Sequence, residues 1–153
     1  MVLAVVFVGD WPPPLRQVGE AVLAALQAEL GTAVPAGTIG IKLVDDAAIT
    51  RLNKQYNGNA YATDVLTFNY AETDGPTSGE LADIVISIEM ATRQAATAKT
   101  TLATEIGLLV THGLLHTLGY DHGSPRDQNQ MDELQWQILT QAGLTYRNFQ
   151  WTH

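Results

Sequence analysis

The 153-residue chain contains no cysteine. That excludes disulfides, thiolate ligands and a cysteine nucleophile, so any zinc must be held through nitrogen and oxygen. Positive charge is also scarce: eight Lys and Arg stand against sixteen Asp and Glu, a formal net charge of −8. Polyanion binding draws most of its affinity from such cations at phosphates. Here they are scattered over Arg16, Lys42, Arg51, Lys54, Arg93, Lys99, Arg126 and Arg147, with Arg51 and Lys54 the best seed for a patch. No apolar run is long enough to span a bilayer. Val2 to Val8 has neither a basic region ahead of it nor a small-residue cleavage site behind it. It reads as a buried strand rather than a signal peptide, and a cytoplasmic protein without a membrane partner is expected.

What is present describes a compact globular chain, 46% apolar and 16% charged. The length suits one domain over residues 1–153, with a tail from about residue 144 that lacks periodicity. After the first strand, Pro12-Pro13-Pro14 opens a helix carrying Val18, Val22, Ala25, Leu26 and Leu30, closed by Gly31. Thr38 to Val44 alternates as a strand. Asp45 or Asp46 caps a helix with Ile49, Leu52 and Tyr56 on its apolar stripe, ended by Asn57-Gly58-Asn59. Val65 to Phe68 is a short strand, Ala71 to Gly79 a loop, and Ile84 to Ile88 a central strand followed by a helix from Glu89. Two further helices start near Thr101 and at Ser124-Pro125, the latter with Met131, Leu134, Ile138 and Ala142 inward. The pattern predicts an α+β fold: a small mixed sheet of about four strands packed with about five helices.

Three of the four histidines fall within eleven residues, His112, His116 and His122. On a helix the first two project from one face, one turn apart, and Gly119 can end that helix and return His122 to the same point. Three neutral imidazoles converging in this way make an open metal site with a fourth position for water. The bearing helix, with Leu102, Ile106, Leu109, Val110, Leu114 and Leu118, is apolar over most of its circumference and belongs in the core. The spacing is that of the metzincin proteases, H-E-x-x-H-x-x-G-x-x-H, except that Gly113 replaces the glutamate serving there as general base. Glu105, two turns or about 10 Å before His112, is either a structural carboxylate or one that supports a ligand from behind. Asp121 either orients the His122 imidazole or fixes the turn. His153 is taken as inert.

The stretch from His112 to His122 resembles the signature of the YbeY family, H-G-x-L-H-x-x-G-Y-D-H, at all its fixed positions. Leu52-Asn53 with Tyr56, Thr63 to Phe68, and Asp83 to Ser87 are similar to further family segments, and Met131 and Glu133 also fit. The resemblance implies a metal-dependent endoribonuclease that cuts single-stranded RNA in 16S rRNA maturation and ribosome quality control. It implies one zinc ion (Zn2+) per chain on His112, His116 and His122, with ribosomal RNA and the small ribosomal subunit as partners. Its implied fold, α+β with a small sheet against the metal-bearing helix, agrees with the pattern. The chain departs from the family at Asn57, where the family has arginine, and at Ala60, Ala62 and Ala82. Asn57 bears on chemistry, because an arginine beside a metal is a natural phosphate clamp; cleavage is expected to be weakened unless Arg51 substitutes. Two alternatives stand: a metalloprotease-like hydrolase on the same histidine frame, disfavoured by Gly113, and a non-catalytic, metal-stabilised, ribosome-associated module, favoured by the sparse positive charge.

Overall fold

Alternation along the strands decides which side chains face the helices. In a computed structural model, which describes residues 3–70, 79–121 and 123–144, strand β1 (Leu3–Val8) turns Leu3, Val5 and Phe7 inward and leaves Val6 and Val8 exposed. Helix α1 (Pro13–Leu30) starts with proline in its first turn and is followed by a 3₁₀ turn, Gly31–Ala33. Strand β2 (Gly37–Val44) buries Ile39 and Ile41, and helix α2 (Asp46–Asn57) follows it. Then come β3 (Val65–Asn69), β4 (Glu80–Ser87), α3 (Ile88–Thr97), α4 (Leu102–Thr117) and α5 (Pro125–Gln141).

The sheet order is β1-β2-β4-β3, with β3 antiparallel to β4 and the other pairs parallel. The expected α+β fold, four strands in a mixed sheet with five helices, is the observed one. Ile39, Ile41, Ile84 and Ile86 are fully buried on one sheet face, on which α4 packs against β3 and β4. At the β1 end, α1 comes close enough for a Cβ on Gly19 to meet the Phe7 ring at 2.4 Å. Phe7 meets Trp11 edge to face at 5.0 Å, and Trp11 Nε1–H donates to the Ile41 carbonyl.

Local chemistry sets the helix boundaries. Asp45 accepts from the Ala48 N–H, Thr101 from Thr104 and Ser124 from Asp127, each capping a helix start. Gly58, in the left-handed region at φ 76°, ends α2. The strand expected at Ile84 to Ile88 begins earlier, at Glu80, and stops at Ser87. The Ser87 hydroxyl accepts the Met90 N–H at 3.2 Å, which makes Ile88 the first residue of α3. The tail beyond Leu144 and most of the loop from Ala71 lie outside the described residues.

Among the residues facing the core from α5, Gln135 breaks the apolar stripe. It is fully buried, and among the described residues neither its Oε1 nor its Nε2 has a hydrogen-bond partner. Leaving a polar group desolvated and unpaired costs about 1–3 kcal/mol. Gln135→Met, close in length and volume, is therefore expected to raise stability by about 1 kcal/mol or more in urea denaturation. A loss of stability would mean that the amide is satisfied in solution.

Candidate metal centre

Helix α4 is built to lie against the sheet. Residues Thr104 to Thr111 and Gly113 to Leu115 are all buried, as expected of a core helix. At position 113 the approach to β4 is so close that a Cβ would sit 2.9 Å from Ile84 Cγ2 and 3.0 Å from its Cδ1. Only glycine leaves that space empty. The residue that separates this sequence from the protease motif is thus also a packing requirement of the fold.

His112 and His116 share one face of α4. His112 is half-buried and His116 is exposed in the last turn. Their ring centroids are 6.1 Å apart and the ring planes differ by only 13°. The two imidazoles are neighbours at the same end of the helix. The carboxyl end of a helix carries the negative pole of its dipole, so a cation gathered there is further favoured.

The helix ends as its sequence predicts. Gly119 takes φ 102°, its N–H donates to the His116 carbonyl, and the Tyr120 N–H reaches back to the Leu115 carbonyl at 3.0 Å. This pair of bonds is a Schellman turn, which folds the chain back along the helix it has just left. His122 itself lies outside the described residues. Asp121 Oδ1 accepts the Gly123 N–H at 2.9 Å, a bond that serves the turn. Glu105 is 1% exposed in the first turn of α4, two turns from His112 and well inside the core. The structure therefore brings two of the predicted ligands together and holds Glu105 apart from them. Imidazole nitrogens on a half-exposed helix end, with no thiolate in the chain, are a donor set suited to zinc and its neighbours in softness.

Asn57, which stands where the family has arginine, is occupied locally. Its Nδ2–H donates to Asn53 Oδ1 at 3.0 Å, and Asn53 in turn donates to the Tyr61 carbonyl. The amide closes the end of α2. Arg51 and Lys54 on the same helix are exposed, whereas Arg16 and Arg93 are engaged by Glu20 and Asp46.

A family model described as endoribonuclease YbeY matches residues 12–143. The chain belongs to the YbeY family. It is 38% identical over 139 residues to the endoribonuclease YbeY of Symbiobacterium thermophilum, covering 86% of each chain. It is 41% identical over 114 residues to that of Myxococcus xanthus, covering 73% of this chain and 39% of the longer relative. The solution structure of TM1509 from Thermotoga maritima shares the fold, with a TM-score of 0.63 at 24% identity over 92% of this chain and 89% of that one. YbeY membership agrees with the resemblance carried by the histidine stretch.

Sequence reasoning overlooked one group of side chains, Lys42, Tyr70 and Asp83, which meet on the sheet face opposite α4. Their signal was Gly40, a glycine interrupting an alternating strand, which commonly marks a close approach.

Proposed function

We propose that the chain is a zinc-dependent endoribonuclease that cuts single-stranded RNA during 16S rRNA maturation, working in the cytoplasm beside the small ribosomal subunit. The class of reaction, endonucleolytic RNA cleavage, follows from YbeY membership. The observation that carries the metal reading is the pair of near-parallel imidazoles on α4. His112, His116 and His122 would hold the ion, which when bound there lowers the pKa of a water and polarises a phosphoryl oxygen.

The residues of the chain itself limit the rest. Position 113 has no side chain and no room for one against Ile84, so no carboxylate from α4 takes the attacking proton as it would in a protease. Asn57 offers only neutral donors, one already given to Asn53. Exposed Arg51 and Lys54 on the same helix are cations that can draw the RNA backbone toward α2. Among the described residues no helix is long and apolar enough to cross a membrane.

The deciding experiment measures bound metal and cleavage of a single-stranded RNA for the chain and for Asn57→Arg. One zinc per chain and metal-dependent cleavage are expected in both. Restoring a charged donor beside the scissile phosphate is expected to raise kcat by about 10²-fold, the usual effect of one such donor. Products ending in a 2′,3′-cyclic phosphate would assign the attack to the RNA's own 2′-hydroxyl. Cleavage of unfolded protein with no cleavage of RNA would overturn the proposal.

A further inference from the structure

The sheet face turned away from α4 holds a cavity of about 320 Å³, at the small end of the range for ligand sites. Strand register builds it. Gly40 pairs with Asp83, Asp83 with Phe68, Lys42 with Val85 and Val8 with Lys42. Because side chains alternate, all these residues share the face opposite Ile39, Ile41 and Ile84. Helix α2 stands over this face, and Tyr56 meets Phe68 edge to face at 5.1 Å to form an aromatic wall.

The floor is polar and specific. A Cβ on Gly40 would lie 2.6 Å from Asp83 Oδ1, so the glycine is what lets the carboxylate rest across β2. The Tyr70 hydroxyl donates to Asp83 Oδ2. That bond, followed by burial, pushes the Tyr70 pKa up to about 12, so the phenol remains a proton donor and keeps the carboxylate in place. Among the described residues nothing donates to Oδ1. Lys42, exposed on β2, places an ammonium at the rim.

A ligand that fits is flat, presents paired N–H donors to a carboxylate, and carries negative charge toward the lysine. Of the four RNA bases only guanine offers adjacent ring and exocyclic donors, N1–H and N2–H, on one edge. Carboxylates accept such pairs well, and base stacking on aromatic side chains is worth about 1–3 kcal/mol per base. We propose that this cavity holds a guanine of the RNA strand, its base against Tyr56 and Phe68, its donor edge on Asp83 and its phosphate toward Lys42. This rests on the RNA-cleaving role and adds a base preference to it. An arginine side chain from a protein partner has the same paired donors, but Lys42 repels it and attracts a phosphate.

The test is calorimetric titration of the metal-free chain with GMP, IMP, AMP, CMP and UMP, run beside RNA cleavage by the zinc-loaded chain. GMP is expected to bind at least tenfold more tightly than the other four, including IMP, which lacks the 2-amino group. Asp83→Asn should remove that preference. Should this variant fail to fold, Lys42→Ala, at an exposed position, should weaken GMP severalfold while leaving guanosine unchanged. Equal binding of all five nucleotides, binding of none, or tighter binding of an arginine peptide than of GMP would overturn the guanine site. With RNA cleavage intact, such a failure leaves the nuclease reading standing; absence of cleavage would instead remove the nuclease reading.

Discussion

His116→Ala is expected to remain folded, to lose its zinc and to lose RNA cleavage by at least about 10²-fold. The side chain is exposed in the last turn of α4, away from the helix face packed on β4. Exposed substitutions of this kind usually alter stability by no more than about 0.5 kcal/mol, and alanine is the better helix former. The expected effect on metal is far larger, because a three-imidazole site reduced to two loses a ligand that no other residue on the same helix face replaces. Metal analysis after dialysis is the direct measurement: one zinc per chain before the substitution, and almost none after it. A variant that still carries one zinc per chain would place the ion elsewhere. His112→Ala is a poorer probe, since that ring is half-buried and its loss also removes packing.

Gly113→Glu, which writes the protease motif into the chain, is expected to destabilise it severely and to create no peptidase. Any Cβ at this position meets Ile84 Cγ2 at 2.9 Å. Ile84 is fully buried, and its branched side chain is stiff about χ1. Overpacking of this kind costs about 1–3 kcal/mol. A carboxylate carried inward adds the cost of a buried polar group without a partner, about 1–3 kcal/mol again. A loss of about 2–6 kcal/mol would lower the Tm of a domain of this size by roughly 4–24 °C, at about 2–4 °C per kcal/mol. Gly113→Ala should suffer less, because its helix propensity returns about 1 kcal/mol against the clash. Unchanged melting of the glutamate variant would mean that α4 can lift off the sheet. Peptidase activity would mean that position 113 faces the ligand cluster instead of Ile84.

Much of the fold was legible because its signals are local. Asp45, Thr101 and Ser124 cap helices through hydrogen bonds to backbone only three residues away. Gly58 and Gly119 end helices through their own φ. The shared face of His112 and His116 was legible for the same reason, since a four-residue step on a helix fixes it. Errors arose where distant segments decide. Ser87 is an exception: its cap on the Met90 N–H is as local as the others, but the apolar run through Ile88 made it look like the penultimate residue of a strand. Gln135 was passed over because an amide on an apolar stripe reads as surface, yet the packing of α5 buries it. The Lys42, Tyr70 and Asp83 group depends on the register that places residue 40 beside residue 83, which no single segment encodes.

The helix that packs on Ile84 and the β3–β4 side of the buried sheet face runs from Leu102 to Thr117, after every strand of the sheet. During synthesis the strands therefore leave the ribosome before the layer that shields them. A nascent chain stalled short of residue 117 exposes a row of isoleucines to water and to its neighbours, the condition under which unpaired sheets aggregate. Chaperone protection during translation matters most in the interval between the emergence of β4 and that of α4.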